Sequence, residues 1–270
     1  MALTDKLTAI ANAIRTKTGG TDSLTLDQMA SEIDNIQSGG ATEPYIEEVY
    51  NISDKLIDVN MYGYTKIRDY AFQDCPYLAL TSLPSGITSI GNYAFKYCSS
   101  LALTSLPSSL TSIGNYAFNS CSRLALTSLP SSLTSIGNYA FNSCSRLALT
   151  SLPSGITSIG HYAFNSCSRL ALTSLPSGVT SIATRAFYNC SQLALTSLPS
   201  GVTSIEDWAF GSCTGLTSIT FEGTPTSITS TSFKDCTNLT TINVPWSEGA
   251  VANAPWGATN ATINYDYTGA

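Results

Sequence analysis

Phenylalanine recurs at Phe72, Phe95, Phe118, Phe141, Phe164, Phe187, Phe210 and Phe233, always 23 residues apart. Each is followed three residues later by a cysteine, giving Cys75, Cys98, Cys121, Cys144, Cys167, Cys190, Cys213 and Cys236. A fixed period of this size predicts a solenoid, with about eight rungs. Each rung is a supersecondary unit that cannot bury its apolar face alone, so stacking is obligatory and function belongs on an extended surface. Residues 108–130 and 131–153 are identical letter for letter, which marks these rungs as products of duplication.

Within the rung from Cys121 to Phe141, Leu124, Leu126, Leu129, Leu133, Ile136, Ala140 and Phe141 supply inward bulk. Pro130 interrupts an extended piece and Gly137 permits a tight corner, so each rung should hold two short extended segments and one tighter turn. All eight cysteines belong to one column, and their even number therefore reports the repeats rather than a disulfide framework. Stacked strands lie about 4.8 Å apart, which does not forbid a disulfide between neighbours. Equivalent side chains point the same way, however, and a column of free thiols behaving as small hydrophobes is the expectation. A straight column also lacks the convergent geometry of a metal site.

Charged residues make up only 11% of the chain and the net charge is −6, but no Asp or Glu occurs between Asp74 and Glu206. That stretch carries Lys96, Arg123, Arg146, Arg169 and Arg185. Five dispersed cations are too few for a nucleic-acid face, and no stretch approaches the apolar length of a membrane span. No cofactor motif is present.

Residues 1–37 read as a helical hairpin: Leu7, Ile10, Ala11 and Ile14 share one face, and Met29, Ile33 and Ile36 another. Thr25 and Gln28 fit a capping box. The hairpin is too small for a core of its own and is expected to dock or self-associate. Residues 38–44 read as a linker, 45–64 as a β cap, 65–245 as the array, and 246–270 as a C-terminal cap built on Trp246, Trp256, Ile263 and Tyr265. Met1–Gly20 lacks the n-region, h-region and cleavage site of a signal peptide.

The pattern AF-x-x-C-x-x-L followed by LP and L-T-S-I-G resembles the BspA-like leucine-rich repeats of bacterial surface proteins, over residues 65 to about 245. The resemblance implies a curved right-handed leucine-rich-repeat solenoid with a parallel sheet. Rungs from Cys75 to Cys190 depart from it: they place Leu at Cys+3, +5 and +8. Those at Cys213 and Cys236 place apolar residues at +3, +6 and +8, the commoner family spacing, and so the strand geometry of the first six rungs is left open. The start LTDKLTAIANAIRTKTGGTDSLTLDQMASEI is similar to the leader of structural and tail proteins of phages and prophages from Gram-positive gut bacteria. That likeness implies a virion-associated or cell-surface protein.

Catalysis is not expected. The one histidine, His161, occupies a column otherwise filled by Asp69, Asn92, Asn115, Asn138, Thr184 and Asp207, with no acidic residue close in sequence to orient a base. Two columns are candidates for recognition. Tyr93, Tyr116, Tyr139, Tyr162 and Trp208 offer rings to stack on sugars or peptides. Arg123, Arg146 and Arg169 form a basic row about 10 Å long at strand spacing, suited to an anionic polymer. The expected partner is a host-surface glycan or protein. The alternatives are a monomeric surface adhesin and, remotely, an ice or crystal-surface binder using Ser/Thr ladders such as Thr104, Thr127, Thr150 and Thr173.

Overall fold

In a computed structural model of the chain, the structure describes residues 45–50 and 56–269. The expected hairpin over 1–37 and linker over 38–44 lie outside the described residues, as do residues 51–55. From residue 46 onward the chain forms one compact unit. Strands β1 (Tyr45–Tyr50) and β2 (Leu56–Tyr62) pair as a two-stranded sheet.

The array then turns with the expected period. A Ser–Ile pair, or Lys–Ile in the first rung, makes a two-residue strand on one side of each rung. These strands are β3 (Lys66–Ile67), β4 (Ser89–Ile90), β5 (Ser112–Ile113), β6 (Ser135–Ile136), β7 (Ser158–Ile159), β8 (Ser181–Ile182), β10 (Ser204–Ile205) and β12 (Ser227–Ile228). All pairings are parallel and in register at a step of 23, as in Ser89↔Ser112 and Ile90↔Ile113. The isoleucines face inward and are buried. The ladder falls into two sheets, β3–β6 and β7–β8–β10–β12. The rungs holding β6 and β7 still stack through their turns, where Tyr139 N donates to His161 O at 2.8 Å and Phe141 N to Ala163 O at 2.9 Å. Nothing in the identical Ser–Ile pairs explains the interruption.

The second side of the rung resolves the spacing question. Where apolar residues stand at Cys+6 and +8, true strands form: β11 (Ser218–Phe221) and β13 (Thr241–Asn243). They join β9 (Ser197–Leu198) and β14 (Thr262–Asn264) in a third sheet, ordered β9–β11–β13–β14. The alternation Ile219 and Phe221 inward, Ser218 and Thr220 outward is the period of two that a strand requires. With Leu at +5 and +8 that alternation is lost, because +5 and +8 fall on opposite faces of an extended chain. The rungs from Cys75 to Cys167 hold no strand there, and the Cys190 rung, with the same spacing, forms only the two-residue β9 against β11. Isolated inter-rung bonds replace it, exemplified by Ala125 N donating to Leu103 O at 3.2 Å and Ala148 N to Leu126 O at 3.0 Å, with Thr173 N to Thr150 O at 3.4 Å added in the Cys167 rung.

The core is a continuous stack of Leu, Ile, Phe, Ala and Cys columns with Met61 toward one end. The Phe rings lie 5.1–5.5 Å apart and nearly parallel from Phe72 to Phe233. Seven thiols, Cys98 to Cys236, each donate to the carbonyl of the Phe 26 residues earlier, at 2.9–3.1 Å, as Cys144 does to Phe118. Burial pushes the Cys98 and Cys236 thiols from 9.0 up to about 12, and those between them well upward.

The structure also adds a turn to the eight rungs counted from Phe and Cys. Trp256, fully buried, stands 23 residues after Phe233, whose N–H donates to its carbonyl at 2.9 Å. β14 pairs with β13 in register, Thr241↔Thr262, a step of 21. Trp246 packs on Trp256 with ring centroids 6.2 Å apart, and both pack on Phe221. Cys and Phe are both missing from this ninth turn, so a count of those letters stops short of it.

Candidate ligand-binding faces

The aromatic column is set by the corner that precedes each Phe. Asn92, Asn115 and Asn138 use their side-chain oxygens to accept the backbone N–H of the next rung: Asn115 N reaches Asn92 Oδ1 at 2.8 Å, Asn138 N reaches Asn115 Oδ1 at 2.7 Å, and His161 N reaches Asn138 Oδ1 at 2.8 Å. Asp69 starts this ladder by accepting from Asn92 N at 2.7 Å. The corner throws the following residue into the left-handed region. Tyr70, Tyr93, Tyr116, Tyr139, Tyr162, Arg185 and Trp208 have φ between 54° and 62°, unusual for residues with a Cβ. From Tyr70 to Arg185 their N–H groups are satisfied across rungs, as in Tyr116 N to Asn138 O at 2.9 Å.

Tyr70, Tyr93, Tyr116, Tyr139 and Tyr162 therefore project as one stack, with centroid spacings of 4.9, 4.7, 4.4 and 4.4 Å and planes within 9° of parallel. The rings expected to stack on sugars or peptides thus stack on one another. Within the run from Tyr93 to Tyr139 both faces of every ring are covered by neighbouring rings, so the column presents ring edges and hydroxyls. Partial burial first, and then the neighbouring phenols of Tyr162 and Tyr116, push the Tyr139 hydroxyl upward. Trp208 is not part of the tyrosine stack. Arg185 separates it from Tyr162, with the guanidinium 5.5 Å from the Tyr162 ring, 5.4 Å from Tyr188 and 6.0 Å from Trp208, and donates to the Tyr162 hydroxyl at 3.1 Å.

Sequence reasoning missed the cations that decorate this column. Lys96 Nζ lies 5.2, 4.7 and 5.4 Å from the Tyr93, Tyr97 and Tyr116 rings, and Lys234 lies 4.8 Å from Trp208. A usable signal existed: Lys96, Tyr188 and Lys234 all occupy the position after Phe, three residues beyond the aromatic column.

His161 has an acidic neighbour after all. Glu206 Oε2 lies 3.7 Å from His161 Nδ1 and accepts from Thr184 N at 2.9 Å and Thr184 Oγ1 at 2.8 Å. The reason is the ladder itself. Histidine at 161 offers no amide oxygen to the N–H of Thr184, and Glu206, from the rung beyond, supplies the acceptor. The pair is a corner repair in an open setting.

Arg123, Arg146 and Arg169 form a separate exposed column. Among the described residues no group of His, Cys, Asp and Glu is placed to hold a metal ion, and no helix is long and apolar enough to cross a membrane.

In-register parallel strands, buried Leu and Phe columns and a 23-residue step define a leucine-rich-repeat solenoid. The chain belongs to the BspA type leucine rich repeat family, whose model matches residues 65–194 and 159–252. No curated protein matches the chain. Among solved structures, it is similar to a leucine-rich repeat protein from Bacteroides ovatus, at 21% identity over 84% of this chain and 76% of that one, with a TM-score of 0.42. It is also similar to the leucine rich repeat protein of T. pallidum, at 24% identity over 74% and 89%, TM-score 0.41. A third is a leucine rich cell surface protein from Faecalibacterium prausnitzii, at 20% identity over 86% and 97%, TM-score 0.42.

Proposed function

We propose that this chain is a non-enzymatic interaction and adhesion module, a prophage-derived virion component or a cell-surface component, that binds a host-surface glycan or protein through its array and assembles through residues 1–37. The observation that carries the reading is the ribbon of tyrosine edges and hydroxyls, flanked by Lys96 and Arg185, repeated at rung spacing on a hydrogen-bonded scaffold. A repeated, rigid, amphipathic surface is how solenoids present binding sites, and Tyr and Arg are the residues that dominate such interfaces. Membership of the repeat family fits this non-catalytic role.

The test is retention of the full chain on immobilised intestinal mucin, beside a variant with Tyr93, Tyr116, Tyr139 and Tyr162 all changed to Phe. That variant keeps the stack and removes only the hydroxyl edge. Retention that falls in the variant supports the reading; equal retention of both proteins, or none of either, sinks it. Light scattering of the full chain and of a chain starting at Ala41 tests assembly. A defined oligomer that becomes a monomer on truncation supports the particle component, and two monomers support the solitary adhesin.

A further inference from the structure

The arginine column narrows the interaction-module reading to a class of ligand, and that class stands only if the reading does. Arg123, Arg146 and Arg169 are exposed, and no described residue pairs with any of them. Their positions are fixed from both sides. Just before them, Ser145 Oγ donates to Ser122 O at 3.4 Å and Ser168 Oγ to Ser145 O at 3.3 Å. Just after them, Ala148 N donates to Leu126 O and Ala171 N to Leu149 O, both at 3.0 Å. The backbone at the three arginines thus advances one rung at a time, about 4.8 Å per step. Like charges directly opposite on adjacent strands oppose folding, and no carboxylate occurs from residue 75 to residue 205 to relieve them. The column continues through uncharged Ser100 on one side and Gln192 on the other.

We infer that this column binds an acidic polysaccharide with one carboxylate on every sugar, laid along the solenoid axis with one sugar per rung. Adjacent sugars of an extended polyuronate are rotated about the chain axis, so what such a polymer matches to the column is its charge per length, about one carboxylate per ring length beside one arginine per rung. Guanidinium matches carboxylate as a planar fork and keeps its charge at every accessible pH. A polymer charged on every second sugar carries about half that charge per length, and a neutral polymer carries none.

Affinity electrophoresis of the full chain through gels containing polygalacturonate, hyaluronan or dextran distinguishes these cases. Polygalacturonate is expected to retard the protein more than hyaluronan at equal carboxylate concentration, and dextran not at all. Each Arg→Gln change should weaken polygalacturonate binding by up to about fivefold, the upper end for one exposed ion pair, and lower the slope of affinity against salt in steps. The R123Q/R146Q/R169Q protein should lose retardation while its urea midpoint holds or rises as the like charges are removed, which separates lost binding from lost fold. Equal retardation by hyaluronan, or full retardation of the triple variant, overturns the proposal. If polygalacturonate has no effect while mucin retention persists, this ligand class alone is overturned; if neither matrix holds the chain, the interaction-module reading falls with it.

Discussion

A tyrosine in the left-handed region is the residue on which the whole exposed face turns. The conformation costs roughly 1–2 kcal/mol for a residue with a Cβ, and each stacked neighbour returns roughly 0.5–1.5 kcal/mol. Tyr139, at φ 58° between Tyr116 and Tyr162, sets the two terms against each other. Tyr139→Ala keeps the backbone cost and loses both stacks, so a loss of about 1–3 kcal/mol is expected. Tyr139→Gly loses the same stacks but releases the backbone cost, and should be the more stable variant by about 1 kcal/mol. Urea midpoints decide it. An alanine variant at least as stable as the glycine variant would show that the left-handed corner carries no strain. The same residue shows where sequence reasoning ends. Spacing put Tyr93, Tyr116, Tyr139 and Tyr162 in one column, but a column says nothing of ring orientation. That orientation depends on the side-chain amide of the preceding Asn accepting a backbone N–H one rung away, a contact between residues 23 apart that period alone does not reveal.

At the scale of the element, the corner glycines separate into two kinds. A Cβ on Gly137 would lie 2.5 Å from Asn115 N and 2.6 Å from the carbonyl carbon of Gly114, both backbone atoms of the preceding rung. Backbone cannot yield, and Gly137→Ala should cost about 2–3 kcal/mol. A Cβ on Gly178 would find nothing nearer than 3.8 Å, and its φ is not positive. Gly178→Ala should be neutral or raise stability by about 0.5 kcal/mol through the unfolded chain. Thermal melts of the two variants check the contrast, which fails if both shift alike. The Gly in L-T-S-I-G was legible as a corner, yet the column continues as Ala183, Glu206 and Thr229, so the letter alone did not show which rungs need it. Strand placement divided in the same way. The Ser–Ile pairs and the +6/+8 rungs obey an alternation that names a strand, whereas the +5/+8 spacing holds one only at β9, beside the first +6/+8 rung, and only packing shows that isolated inter-rung bonds take its place elsewhere.

For the array as a whole, the decisive term is seven neighbouring thiols held away from water. In the unfolded chain they titrate near 9.0; folded, Cys98 and Cys236 reach about 12 and the five between them lie well above their ordinary value, chiefly by burial. The folded form therefore holds protons that the unfolded form releases. Stability from this source is complete below about pH 9 and is lost as pH rises from there toward 12, by at most about 1.4 kcal/mol per pH unit for each thiol. The urea midpoint is expected to be level from pH 7 to 8 and to fall steeply between about pH 9 and 10.5. Cys144→Ala and Cys167→Ala together should lower the midpoint at pH 7, because two thiol–carbonyl bonds and some packing volume are removed, and should also flatten its decline at high pH. A decline of unchanged steepness in that double variant would move the cause of alkaline sensitivity from the cysteine column to the exposed phenols. A rung-to-rung stack has no other store of cohesion than its repeated columns, so a change of charge in one column acts on every interface between rungs at once.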